Sequence, residues 1–189
     1  MKPAVFLDRD GTLIEDVGYL DRLDRIAFFP WTVDAIRALN RAGLAVVVIT
    51  NQSGIARGLF TEAFVEETHR HLSARLAAGG ARIDAYYYCP HHPDGVVEAY
   101  RYRCDCRKPA GGMVNQAVSD LGLDPARSFV VGDKWLDVGL ARAVGARGIL
   151  VRTGTGATEE AQPQPGISAD AIVDNLAAAA SWILRESEA

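Results

Sequence analysis

The run Leu44-Ala45-Val46-Val47-Val48-Ile49 is apolar at every position and stops abruptly at Thr50-Asn51-Gln52-Ser53-Gly54. A strand with one wet face alternates apolar and polar residues. Unbroken apolarity over so short a run is the mark of a strand buried on both sides, as in a parallel sheet covered by helices. Ala4-Val5-Phe6-Leu7 breaks in the same way, into Asp8-Arg9-Asp10-Gly11-Thr12. Between the two, Thr32 to Ala42 carries Val33, Ile36 and Leu39 at helical spacing and is closed by Gly43. Strand, helix and strand in this order predict an α/β fold: three layers, doubly wound and Rossmann-like, around a parallel central sheet.

The rest of the chain continues the alternation. Thr61 is placed to cap a helix running to about Ala78, which Gly79-Gly80 ends, and Ile83 to Tyr88 supplies a third strand. Further helices are expected over Met113 to Leu121 and Val138 to Val144, with strands over Ser128 to Val131 and Gly148 to Val151. Ala171 to Val173 reads as an edge strand before an Ala-rich helix starting near Leu176. Gly154-Thr155-Gly156 reads as a turn, lacking the GxGxxG spacing of a nucleotide site, and Gln162 to Gly166 as a surface loop. His69 and His71 fall two apart on a helix, do not share a face, and are expected on the solvated surface. At 189 residues and 49% hydrophobic, the chain suits one well-buried domain over residues 1–189. The stretch from Asp10 to Thr50 holds one crossover and a strand, leaving no room for a large cap domain.

Charge and hydropathy exclude some partners. With 24 acidic against 20 basic residues, the formal charge of −4 offers no general attraction to nucleic acid or to an anionic membrane. No apolar run approaches the roughly 20 residues that span a bilayer. No secretory signal pattern is visible at the N-terminus, so a cytoplasmic setting is expected. The sequon Asn51-Gln52-Ser53 carries no weight in such a chain.

The polar groups at the strand ends are complementary in kind. Asp8 and Asp10 follow the first strand, Thr50 and Asn51 the second, and Gly132-Asp133-Lys134 with Asp137 the fourth, while Lys108 lies in Arg107-Lys108-Pro109. Ligands of open α/β sheets collect at the carboxyl ends of strands. Carboxylates from Asp8, Asp10 and Asp133 suit a hard cation such as Mg²⁺, which shares its shell readily with phosphate. Phosphate monoesters hydrolyse very slowly unaided, so two displacements through a covalent intermediate are advantageous. Asp8 then serves as nucleophile and Asp10 as acid and base, while Thr50 and Lys108 donate to the transferring phosphoryl group.

All three cysteines fall within a short stretch. Cys89-Pro90-His91 and Cys104-Asp105-Cys106 offer three thiolates and an imidazole, a set that closes a tetrahedral, structural Zn²⁺ site, with His92 as a rival ligand to His91. The loop runs directly into Arg107-Lys108-Pro109, so a metal tying residues 89–106 would fix where Arg107 and Lys108 point.

Taken in order, these motifs resemble those of the haloacid dehalogenase-like (HAD) phosphatase superfamily from about Val5 to Val151. The resemblance implies Mg²⁺ on the carboxylates of Asp8 and Asp133 and on the main-chain carbonyl of Asp10, with Asp137 supporting the site through hydrogen bonds. Within the histidinol-phosphatase-like branch, three further segments narrow it: Thr50-Asn51-Gln52-Ser53-Gly54-Ile55-Ala56-Arg57-Gly58, Tyr88-Cys89-Pro90-His91-His92-Pro93 and Cys104-Asp105-Cys106-Arg107-Lys108-Pro109 are similar to the heptose bisphosphate 7-phosphatase family. That resemblance favours His91 as zinc ligand. It implies substrate contacts at Asp16, Val17, Gly18, Tyr19, Asn51, Gln52, Ser53, Arg107 and Lys134, with Arg107 and Lys134 facing the second phosphate. A small sugar bisphosphate is the implied substrate, a nucleotide-heptose or lipopolysaccharide-core route its setting, and a monomer the implied state. Histidinol-phosphate phosphatase shares the motifs and a similar zinc loop and is the nearest alternative; a non-enzymatic, zinc-stabilised binding protein on the same fold is the remote one.

Overall fold

A computed structural model describes residues 1–188. Six strands form one sheet: β1 (Ala4–Leu7), β2 (Ala45–Asn51), β3 (Ala85–Cys89), β4 (Phe129–Gly132), β5 (Arg147–Val151) and β6 (Ala171–Val173). Their order is β3-β2-β1-β4-β5-β6, and every pair is parallel. The chain therefore reverses its direction of winding at β1, and the crevice beyond the carboxyl ends of β1, β2 and β4 is the topological switch point.

Period-two alternation sorts the apolar runs between two faces. Val5 and Leu7, with Val46 and Val48, point to the layer of α1 (Thr32–Arg41), α2 (Glu62–Ala78) and α6 (Leu176–Glu188), meeting Ile36, Leu39, Leu72, Leu76 and Ile183. Ala4 and Phe6, with Val47 and Ile49, face α3 (Gly112–Leu121) and α4 (Trp135–Val144), meeting Met113, Val114 and Leu140. Each such Leu or Ile removed from water contributes roughly 1.5–3 kcal/mol. No large cap domain interrupts the described residues; the chain between β1 and α1 is a short flap in which Gly11 N–H donates to Ile14 O at 2.8 Å. Among the described residues no helix is long and apolar enough to cross a membrane.

Several expectations shift. The second strand continues through Thr50 and Asn51, which pair with Tyr88 and Cys89. The helix expected from Val138 begins three residues earlier, with Lys134 N–H donating to Asp137 Oδ2 at 3.3 Å in its first turn. The stretch after Thr155 is not only a turn but a short helix, α5 (Gly156–Ala161). Thr61 caps α2 as expected, accepting from Phe64 N–H at 3.2 Å. His69 corrects the surface reading: it is buried and stacked on Tyr86 with ring centroids 4.5 Å apart, while His71 is exposed. Residues two apart do face different ways on α2, but the 69 face looks at the sheet.

Candidate active site

Register across the three central strands assembles the site. Leu7 pairs with Val48 of β2 and with Val131 of β4, so Asp8 emerges beside Thr50 on one flank and Asp133 on the other, each two residues beyond the paired position. Asp8 N–H donates to Val131 O at 2.9 Å, carrying the ladder one residue past β1.

Lys108 enters from the loop before α3. Its ammonium lies 2.8 Å from Asp8 Oδ1 and 2.7 Å from Asp137 Oδ1 and donates to Ile49 O at 3.1 Å. All three charged side chains are buried. Burial draws the ammonium down, but Asp137 and Asp8 more than offset this and hold Lys108 above the usual lysine range. Asn51 clamps the same residue by its backbone: Lys108 N–H donates to Asn51 Oδ1 at 3.0 Å, and Asn51 Nδ2 to Lys108 O at 3.3 Å.

Asp8, Asp133 and Asp137 each bring a carboxylate oxygen within 4.8 Å of the others. Burial and the neighbouring Asp8 carboxylate push Asp133 up to about 6, and burial pushes Asp137 up to about 7 against the pull of Lys108. Asp133 Oδ2 accepts from Thr155 N–H at 2.8 Å and from the Thr155 hydroxyl at 3.0 Å, whereas Asp133 Oδ1 is buried with no hydrogen-bond partner. An orphaned carboxylate oxygen beside a second carboxylate fits a small divalent cation, which would supply the missing partner and relieve the repulsion. Two glycines press against Asp133: a methyl group on Gly11 would meet Oδ2 at 2.4 Å, and one on Gly154 at 2.3 Å, and both residues have positive φ.

Asp10 is turned toward Arg9 and Gln52. Arg9, 2% exposed, makes an ion pair with Asp10 at 2.9 Å and donates to Gln52 Oε1 at 3.1 Å. Gln52 Nε2 donates to Asp10 Oδ2 at 3.0 Å and to Thr50 Oγ1 at 2.8 Å.

An open cavity of about 300 Å³ lies over these groups, lined by Asp8, Asp10, Thr50 and Lys108 and rimmed by Arg107 and Lys134. Asp16, Gly18, Tyr19, Asn51, Gln52 and Ser53 also reach it. Val17 does not; it packs against the apolar core of the α1 layer. Lys134 Nζ sits 3.5 Å from Asp16 Oδ2, drawing the flap after β1 toward the loop after β4.

Beside the cavity, Cys89, His91, Cys104 and Cys106 converge, their ligand atoms all within 4.8 Å of one another. Cys104 Sγ lies 3.4 Å from Cys89 Sγ and 3.1 Å from Cys106 Sγ, and His91 Nδ1 lies 3.3 Å from Cys106 Sγ. Burial pushes the Cys89 thiol up to about 11 and raises Cys106 as well, a packing that a soft-tolerant cation would reverse by drawing the thiolates to itself. The donor set fits Zn²⁺ with no open position. His91 Nε2 and Tyr102 Oη are 2.6 Å apart, leaving Nδ1 for the cluster. His92 is turned away, accepting from Asp94 N–H at 3.1 Å. Arg107 Nη1 donates to His91 O at 3.3 Å, so the loop and the cavity rim are physically joined.

Sequence reasoning missed Arg9, Thr155 and Gly154. Arg9 stands between the two aspartates and Thr155 between two glycines after a strand; those were the available signals.

Two family models match the chain, one described as polynucleotide kinase 3 phosphatase over residues 4–137 and one as HAD-hydrolase-like over residues 105–179. The D-glycero-beta-D-manno-heptose-1,7-bisphosphate 7-phosphatase of Salmonella typhi is 45% identical over 188 residues, covering 98% of this chain and 97% of the relative. The protein of the same name from Escherichia coli strain K12 is 48% identical over 177 residues, covering 93% and 90%. Among solved structures, D,D-heptose 1,7-bisphosphate phosphatase from B. bronchiseptica, complexed with magnesium and phosphate, matches with a TM-score of 0.85 at 36% identity, covering 98% of this chain and 99% of its own.

Proposed function

Because this chain belongs to the D-glycero-β-D-manno-heptose-1,7-bisphosphate 7-phosphatase family of HAD-like hydrolases, and so is a phosphoric monoester hydrolase, we propose that it removes the 7-phosphate of that heptose bisphosphate. The product is heptose 1-phosphate, suited to nucleotide-heptose and lipopolysaccharide-core synthesis. The observation that carries this reading is the meeting of Asp8, Asp10, Thr50 and Lys108 on one cavity whose rim presents two further cations, Arg107 and Lys134. A monophosphatase needs the first four. A substrate with a second, distant phosphate gives the other two a purpose.

Asp8 attacks the phosphorus of the 7-phosphate, and an O–P bond forms as the bond from phosphorus to the C7 oxygen breaks. Asp10 gives its proton to that departing oxygen. Thr50 donates to the phosphoryl oxygens, where charge is greatest in transfer, and Lys108 joins it by giving up its contact with Asp8 Oδ1 as that carboxylate turns to the phosphorus. Water then attacks the aspartyl phosphate and Asp10 takes its proton, releasing inorganic phosphate and restoring the Asp8 carboxylate. Asp8, Asp133 and the Asp10 carbonyl would hold Mg²⁺, which when bound neutralises the repulsion between nucleophile and phosphate. Cys89, His91, Cys104 and Cys106 would hold a structural Zn²⁺ that shapes the Arg107 edge of the cavity.

A substrate panel with Mg²⁺ tests the reading, comparing both anomers of heptose 1,7-bisphosphate with histidinol phosphate and simple sugar phosphates. The bisphosphate, in the β form that names the relatives, is expected to have the highest kcat/KM. Preference for histidinol phosphate would overturn the assignment.

A further inference from the structure

Resting on the roles just given to Asp10 and Thr50, we propose that Gln52 is a positioning residue rather than a substrate contact. Its single side-chain amide, anchored by the buried Arg9, sets both the aim of the Asp10 carboxylate and the direction of the Thr50 hydroxyl hydrogen.

The amide's orientation follows from its partners. Arg9 Nη2 can only donate, and it lies 3.1 Å from Gln52 Oε1, so the oxygen faces Arg9 and the nitrogen faces the site. Nε2 carries two hydrogens, and both are spent: one on Asp10 Oδ2 at 3.0 Å, the other on Thr50 Oγ1 at 2.8 Å. The Thr50 hydroxyl has one hydrogen to give. Because its oxygen already accepts from Gln52, that hydrogen is free to point at a phosphoryl oxygen. Asp10, in turn, is gripped on one side by the Arg9 fork, with Nε and Nη2 at 3.1 and 2.9 Å from Oδ2, and on the other by the amide.

The grip is rigid. Gln52 is 4% exposed, and its backbone N–H donates to Cys89 O at 2.8 Å, which locks it to the end of β3. Arg9 is one of the largest fully buried side chains, and a buried guanidinium is tolerated only where its partners are in place. A Gln52 amide with both hydrogens committed has no donor left for a sugar hydroxyl. Its removal should therefore disturb turnover and leave substrate affinity almost intact.

The test is Gln52→Met, which keeps length and removes the amide, measured for kcat and KM on heptose 1,7-bisphosphate alone and in an Asp10→Asn background, with thermal melting to establish folding. Alone, kcat should fall about 10- to 100-fold, the scale of a small misplacement of a catalytic group, with KM changed by less than about threefold. In the Asp10→Asn background the additional loss should be several-fold smaller, because the group being aimed has lost its proton chemistry. A raised KM at unchanged kcat would make Gln52 a substrate contact and overturn the proposal, as would an equal loss in both backgrounds. Asp10→Asn retaining full turnover would instead sink the acid/base reading itself. Should Gln52→Met melt early, Gln52→Glu keeps the acceptor toward Arg9 but replaces the donor, and near wild-type kcat in that variant would equally overturn the proposal.

Discussion

Lys108 Nζ lies 2.8 Å from Asp8 Oδ1, an ion pair between two side chains almost wholly withdrawn from solvent. The same ammonium serves Asp137 at 2.7 Å, so one positive charge stands among three carboxylates. Burying an acidic cluster of this kind is costly, and Lys108, helped by Lys134 at 3.9 Å from Asp133 Oδ1, offsets it.

Lys108→Met is accordingly expected to destabilise the fold by about 3–5 kcal/mol, the usual penalty for removing one partner of a buried pair. Urea denaturation with and without millimolar Mg²⁺ checks it, and Mg²⁺ should restore part of the loss. A variant as stable as the parent in metal-free buffer would show that the carboxylates are not charged together.

Asp8→Asn preserves shape and still offers an oxygen to Lys108. Phosphate release should fall by at least about 10³-fold, as for loss of an attacking group, while the melting temperature stays near that of the parent. Substantial turnover would remove Asp8 from the nucleophile's role.

Metal analysis of purified protein should give about one zinc per chain, the stoichiometry of a single four-ligand site. Cys106→Ser should lower that content and raise KM for the bisphosphate through the tie between Arg107 and His91 O. Full activity with zinc absent and all thiols reduced would refute the site.

His69 makes stability depend on pH. Burial, with Arg9 nearby, lowers its titration from 6.5 to about 3 in the fold, so between those values the unfolded chain binds a proton that the native state refuses. The contribution is complete above pH 6.5 and is lost as pH falls; from pH 7 to pH 5 it amounts to about 2 kcal/mol. His69→Phe keeps a ring against Tyr86 and should flatten the difference between urea midpoints at the two pH values. An unchanged difference would place the proton uptake elsewhere.

Gly154→Ala should raise the Mg²⁺ concentration needed for half-maximal activity. The added methyl would press on Asp133 Oδ2 and on Gly11 Cα, 2.6 Å away, from a residue already at φ +57°. Unaltered Mg²⁺ dependence would show that Asp133 has room to move.

Strands were easier to read in this chain than the groups around them. Runs such as Ala45 to Ile49 declare themselves because a doubly buried strand has no polar positions to alternate with. Asp8, Thr50, Lys108 and Asp133 were legible because each stands where an apolar run breaks or beside a proline. Arg9 was not, since a charged residue between two aspartates looks like surface, and only the fold shows Gln52 and Asp10 closing over it. His69 was misjudged for a related reason: on α2 its ring lies against Tyr86 of β3, a packing that helical periodicity alone does not reveal. The short helix α5 escaped because glycine at its first position reads as a turn, although Glu159 from that helix accepts from Trp135 and steadies the start of α4.

The pairing of Leu7 with Val48 and with Val131 has a consequence for how such a site can change. Thr50 and Asp133 sit at equivalent rungs on opposite sides of β1, one residue further along than Asp8, on strands about 4.8 Å from it on each side. The anion-seeking flank and the cation-seeking flank are thus set by which neighbour the central strand has on each hand. Inserting one residue in β2 ahead of Thr50 would turn its side chain to the other face of the sheet, whereas altered rim loops would leave this polarity untouched. Substrate preference can therefore drift at the loops while the direction of phosphoryl transfer stays written in the hydrogen-bond ladder.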